Sequence, residues 1–167
     1  YGLENYLQEF IKLDNKKILP NKILLSGLKG VGKSTLAYHL INYSLSKNND
    51  YSYDVKNFQI NSDNRDFKLV NNNCNPNFDL IDIKGDKKNI DISQIRTLIE
   101  KLNKSSLNLK PRFILIDNIE LLNTNSINAL LKTLEEPGKE IFFILINNNK
   151  KILDTLKSRC INFNIFL

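Results

Sequence analysis

An α/β fold with a parallel central sheet is predicted for this chain by three observations. Short, wholly apolar runs recur along it: Ile23-Leu24-Leu25, Phe113-Ile114-Leu115-Ile116 and Ile141 to Ile146. Runs of this kind suit strands buried on both faces. Segments with apolar residues at helical spacing lie between them, and that alternation argues for βαβ units. The third observation is the run Gly27-Leu28-Lys29-Gly30-Val31-Gly32-Lys33-Ser34, set between the first apolar run and a helical segment. A glycine-rich loop in that context turns a strand into a helix.

The elements follow in order. Leu3, Tyr6, Leu7, Phe10 and Ile11 form a helical stripe over Leu3 to Leu13, and Pro20 ends that segment before a strand at Lys22 to Ser26. After the glycine-rich loop, Leu36, Ala37, Leu40, Ile41 and Leu45 share one helix face. The single histidine, His39, falls off that face and is expected in solvent. Asn48 to Asn77 is polar and weakly patterned, so it reads as an extended connection or small insertion with a short strand around Val55 to Ile60. Phe78 to Ile83 reads as a strand, and Asp91 followed by Gln94 resembles a capping box. The helix so opened carries Ile92, Ile95, Ile99 and Leu102 on one face. Phe113 to Ile116 is the next strand. A helix with Ile127, Leu130, Leu131 and Leu134, read as core, stops at Pro137-Gly138. Ile141 to Ile146 is a strand, about Lys151 to Lys157 a short helix, and Cys160 to Ile165 the last strand.

At 167 residues the chain makes one domain with a full core. No apolar run approaches the roughly 20 residues of a membrane span, so no membrane partner is expected. No cleavable signal is visible, and a first residue Tyr1 reads as a trimmed chain. Cys74 and Cys160 are too few for a disulfide framework or a four-cysteine zinc site, and are expected to be free thiols in a reducing cytoplasm. The net charge of +6 permits nucleic acid as a partner. Lysine, asparagine and isoleucine are all abundant, however, as an AT-rich coding sequence produces, so charge carries little functional weight.

The glycine-rich loop has the form of a P-loop. Its glycines let the backbone wrap a polyphosphate with N–H groups turned inward, and the following helix adds partial positive charge. The expected nucleotide-binding set is Gly27, Lys29, Gly30, Val31, Gly32, Lys33, Ser34 and Thr35. Lys33 reaches the terminal phosphates and Ser34 ligates Mg²⁺. Asp117 ends the Phe113 to Ile116 run at the tip of its strand, where ligands bind in such sheets. It is the expected Walker B carboxylate, holding Mg²⁺ partly through water. The next position is Asn118, a neutral amide that can orient a water but cannot take its proton. Glu120 is read as a solvated loop acid. Nucleotide binding with weak or no hydrolysis by this chain alone is therefore expected.

Three further segments carry a family resemblance. Asn128-Ala129-Leu130-Leu131-Lys132-Thr133-Leu134-Glu135-Glu136-Pro137 resembles the signature helix of bacterial clamp-loader subunits. Leu156-Lys157-Ser158-Arg159-Cys160 resembles their Ser-Arg-Cys motif, and Ser93-Gln94-Ile95-Arg96 is similar to the segment before their Walker B strand. The resemblance runs from about Leu3 to Phe166 and implies the P-loop AAA+ domain of a DNA polymerase III clamp-loader subunit. It implies a five-stranded parallel sheet in the order 5-1-4-3-2, with helices on both faces, and ATP with Mg²⁺ as cofactors. Such assemblies use ATP to open a sliding clamp and place it on primed DNA. The implied partners are gamma/tau and delta subunits and, through the assembly, the clamp and primer-template DNA, in the cytoplasm.

The resemblance assigns two catalytic roles. Arg159 becomes an arginine finger acting in trans on a neighbouring subunit's ATP, and Asn147 the sensor 1 residue, with Asn148 as the alternative. It leaves Glu135-Glu136-Pro137 without a role. Gamma/tau members typically keep Asp-Glu at Walker B and a four-cysteine zinc module. Asp117-Asn118 and the solitary Cys74 point instead to a delta-prime type with no zinc, although many delta-prime members also carry the module. Residues 1–167 are expected to be the nucleotide-binding domain of a longer protein, with lid and collar domains absent. A gamma/tau-type motor or another AAA+ ATPase is the alternative. A P-loop kinase finds no acceptor-site or lid pattern in the chain.

Overall fold

Side chains that alternate between two helical layers build the centre of the molecule. The computed structural model describes residues 2–85, 87–104 and 110–166. Along the chain run α1 (Glu4–Asn15), β1 (Lys22–Ser26), α2 (Lys33–Ser46), α3 (Arg65–Asn71), β2 (Phe78–Ile81), α4 (Ile92–Leu102), β3 (Arg112–Ile116), α5 (Thr124–Glu135), β4 (Ile141–Asn147), α6 (Asp154–Lys157) and β5 (Ile161–Asn164). The strands form one parallel sheet in the order β2-β3-β4-β1-β5, the order the resemblance implies.

Successive strand residues face opposite sides of a sheet. Accordingly Leu25, Phe113, Leu115, Ile144 and Ile146 join Leu7, Phe10, Leu36 and Leu40 in one cluster, beneath α1 and α2. Leu24, Ile114, Ile116, Phe143 and Leu145 join Ile95, Leu98, Leu130, Leu134 and Leu156 in the other, beneath α4, α5 and α6. Leu130 and Leu134 are fully buried, as the helical spacing predicts. Truncating either to Ala would cost about 2–5 kcal/mol. Among the described residues no helix is long and apolar enough to cross a membrane.

The polar stretch after α2 departs from its sequence reading. No strand forms at Val55 to Ile60; Asp54 and Gln59 make one isolated antiparallel bridge around a turn. The Asp54 carboxylate accepts from the backbone N–H groups of Lys56 and Asn57, at 2.9 and 3.1 Å, and that local bonding favours a turn over a ladder. A helix, α3, forms where none is predicted. Asn64 caps it by accepting from the Phe67 N–H, and only Val70 is buried, too little for a visible period. The Asp91-Gln94 pair is not a capping box. Asp91 accepts from the Ser93 N–H, but the Gln94 amide donates to the Asp82 carbonyl at 3.0 Å instead of reaching back. Strand β2 stops at Ile81 because Asp82 turns its carboxylate onto the next N–H, that of Ile83, at 2.7 Å.

His39 is likewise not solvated. It is half-buried on α2, with Nδ1 2.7 Å from the Tyr53 hydroxyl and the rings edge to face. Burial lowers its pKa and pushes the Tyr53 hydroxyl well above its ordinary value.

Candidate nucleotide site

The loop between β1 and α2 is fixed at both ends by close approach of other elements. The Gly27 N–H donates to the Asn147 carbonyl at the tip of β4 at 3.3 Å. A Cβ on Gly27 would fall 2.5 Å from the Ile165 carbonyl oxygen, so only glycine lets the chain leaving β5 pass. Gly32 begins α2 with φ near +88°, and a Cβ there would lie 2.8 Å from Leu3 Cδ1. Leu3 thus covers the helix start, a contact the sequence reading missed.

Lys33 is buried, with 3% exposure. Its Nζ donates to the Gly27 and Leu28 carbonyls at 2.9 and 2.6 Å. Burial lowers its pKa, while the Asp117 and Glu120 carboxylates pull it back up. The backbone N–H groups of Gly30, Gly32, Lys33 and Ser34 find no acceptor among the described residues. Lys29 and Thr35 are exposed and Val31 is half-buried.

Ser34 joins the loop to the second half of the site. Its hydroxyl donates to Asp117 Oδ2 at 2.7 Å. The Asp117 N–H donates to the Ile81 carbonyl at 2.9 Å, which extends the β2–β3 pairing one step and holds the carboxylate at the strand tips. Tyr38, one helical turn beyond Ser34, faces the same tips. Burial raises its pKa first, then the charges of Asp117 and Asp82. The i, i+4 spacing from Ser34 is the signal that could have singled it out.

Asn118 sits in a chain of polar contacts across three strand tips. Its backbone is left-handed, with φ near +56°. Its amide donates to Asp82 Oδ1 at 2.9 Å and its Oδ1 accepts from Asn148 Nδ2 at 2.8 Å. Asn148 Nδ2 also donates to Glu120 Oε1 at 2.9 Å, so Glu120 is half-buried and bonded, not a solvated acid. The Asn147 amide instead bonds the Lys150 backbone, donating to its carbonyl at 3.0 Å and accepting from its N–H at 3.2 Å. Asn147 therefore shapes the turn after β4, while Asn148 meets Asn118.

A polyphosphate with a divalent cation fits these residues. The buried ammonium rests on neutral carbonyls, the helix start presents free N–H groups, and a hydroxyl already touches a carboxylate. Among the described residues no group of three His, Cys, Asp or Glu side chains could cage a metal. A cation held by Ser34 and Asp117 would complete its shell with oxygens from water or ligand.

The family model described as DNA polymerase III, delta subunit, matches residues 2–166. The chain belongs to that family. It is 32% identical over 143 residues to DNA polymerase III subunit gamma of Buchnera aphidicola subsp. Acyrthosiphon pisum, covering 85% of this chain and 37% of that protein. It is 29% identical over 153 residues to the subunit delta' of Buchnera aphidicola subsp. Baizongia pistaciae, covering 87% of this chain and 44% of that one. The chain thus spans less than half the length of these relatives. A DNA polymerase III gamma subunit-related protein of Thermotoga maritima superposes on all of the chain and 46% of its own, with a TM-score of 0.64 and 22% identity. That likeness shows a shared fold.

The Ser158-Arg159-Cys160 segment lies between α6 and β5, and Arg159 makes none of its described contacts with the P-loop or Asp117. Its Nη1 donates to the Thr155 carbonyl at 2.7 Å and its Nη2 to Glu135 Oε1 at 2.5 Å. Cys160 beside it is a free thiol whose pKa burial pushes up to about 11. It stays neutral near pH 7 and offers Arg159 no anion.

Proposed function

We propose that this chain is the nucleotide-binding domain of a delta-prime-like clamp-loader subunit, one that binds ATP with Mg²⁺ and lends Arg159 to a neighbouring subunit. The observation that carries the reading is the join between the two halves of the site: Ser34 bonded to Asp117, beside a buried Lys33. Lys33 and the free N–H groups of Gly30, Gly32 and Lys33 hold the phosphates. Ser34 and Asp117 would hold the cation, which would supply neutralisation of phosphate charge. A shallow cleft of about 100 Å³ lined by Leu3, Glu4, Leu7, Thr35, Leu36, His39 and Phe58 opens beside the loop and offers the base a surface to lie against.

Hydrolysis at this site lacks a proton acceptor at the usual place. Asn118 is neutral, and both ends of its amide are engaged by Asp82 and Asn148. Asn148, bonded to Asn118, fits the sensor role better than Asn147, whose amide is occupied by Lys150. The chain's catalytic contribution then comes from Arg159, placed against phosphate charge on a partner subunit. The partners are gamma/tau and delta subunits, with the sliding clamp and primed DNA engaged by the assembly.

The test is ATP·Mg²⁺ binding and turnover by the full chain, alone and assembled with gamma- and delta-type subunits. Binding without appreciable turnover alone, abolished by Lys33→Ala, is expected. Rapid turnover by the isolated chain would instead support the motor reading, which the identity to a gamma subunit keeps in view.

A further inference from the structure

Glu135 stands at an electrostatically poor place. It is the last residue of α5, where the negative end of the helix dipole disfavours an acid. Pro137 denies the helical conformation to Glu136, which leaves α5 with φ near −128° and ψ near 71°, so the helix ends with the acid in its final turn. Among the described residues its one ion-pair partner is Arg159.

That pairing leaves Arg159 incompletely satisfied. Nη1 and Nη2 are engaged, but Nε is buried and has no acceptor among the described residues. The side chains are 30% and 53% exposed, so water and salt weaken the pair. An arginine seated for structural purposes looks different. Arg112 uses Nε and Nη2 on the Asp79 carboxylate and Nη1 on the Lys101 carbonyl.

From this geometry we infer that Glu135 is a removable clasp on Arg159: an intrachain carboxylate that holds the guanidinium on the chain's own surface until phosphate oxygens of a docked neighbour displace it. The inference rests on the arginine-finger reading above. A carboxylate and a phosphate compete for the same guanidinium donors. Glu135 is therefore a positioning residue that tunes how readily the finger is released, and it takes no part in the reaction. It also gives the Glu-Pro end of α5 a role.

The test titrates the full chain into gamma- and delta-type subunits with ATP and reads the ATPase of the assembly. Glu135→Gln keeps the shape and removes the competing charge. It should lower the half-activating concentration by about two- to fivefold at low salt, with the maximal rate unchanged. The gap to wild type should close as salt is raised. Glu135→Asp, still acidic, should fall between the two. An unchanged or higher half-activating concentration for Glu135→Gln, or a lower maximal rate, overturns the clasp. Arg159→Ala separates this from the underlying reading. Normal ATPase in that complex sinks the arginine finger itself. Lost ATPase there, with wild-type behaviour of Glu135→Gln, sinks the clasp alone. If the clasp is right, Arg159→Ala with Glu135→Gln behaves as Arg159→Ala does.

Discussion

Arg112 and Arg159 each donate through Nη2 to a carboxylate, at 2.8 and 2.5 Å. The first pair is 15% and 12% exposed, the second 30% and 53%. Arg112 opens β3, and its fork reaches Asp79 on β2 and the Lys101 carbonyl on α4, so one side chain ties three elements. Lys101 completes the cluster by donating to the other Asp79 oxygen at 2.8 Å. Arg159 lies in the short link after α6; among the described residues it donates hydrogen bonds to a carbonyl of that helix and to Glu135, and its buried Nε has no acceptor. Distance alone would rank the second pair the stronger. Burial and completeness rank it the weaker, since an exposed pair is worth about 0–1 kcal/mol while a buried one leaves a costly orphan when broken. The comparison separates an arginine that ties three elements of the fold from one held by a single, exposed carboxylate.

The comparison can be broken at several points. The largest expected effect is on catalysis: Arg159→Ala should lower the ATPase of an assembled complex by about 10³-fold or more. Its own urea unfolding free energy should move by less than about 1 kcal/mol. A large stability loss in that variant would put Arg159 in the same class as Arg112. Next comes Arg112→Ala, which leaves Asp79 with Lys101 as its one ion-pair partner among the described residues. A loss of about 2–3 kcal/mol in urea unfolding is expected, with the ATPase of the assembled complex within about twofold of wild type. Asp79→Asn keeps a hydrogen-bond acceptor but removes the charge between two cations, and should cost about 1–2 kcal/mol by the same measurement. The smallest effect is Glu135→Gln, whose unfolding free energy should stay within about 0.5 kcal/mol of wild type. If Glu135→Gln destabilised as much as Asp79→Asn, the contrast between the two pairs would fail.

Much of this was legible in the sequence. Apolar runs such as Phe113 to Ile116 suit strands covered on both sides, and a P-loop pattern implies a strand before it and a helix after it. The glycines, Lys33, Ser34 and Asp117 can be named as candidates because each sits at a fixed offset along one element. What stayed hidden was set by pairing between distant segments or by side chains bonding locally. Asp54 and Asp82 turned predicted strand residues into loops by accepting neighbouring N–H groups, which hydropathy does not register. His39 left solvent because Tyr53, on a segment without periodicity, folded over it. Glu120 looked like a loop acid until Asn148 arrived from another strand.

The sequence by itself determined the layered α/β design, the P-loop pattern of Gly27 to Ser34 between a strand and a helix, and the absence of an acid directly after Asp117. These are properties of residue type and short-range order, and backbone sterics and burial enforce them wherever the segment lies. The tertiary structure alone decided that Ser34 meets Asp117, that Asn148 and not Asn147 reaches Asn118, and that Arg159 rests on Glu135. Those facts depend on which strand tips lie side by side and where two helices end. A sheet whose neighbours are far apart in the chain fixes such contacts through packing, and no local pattern encodes them.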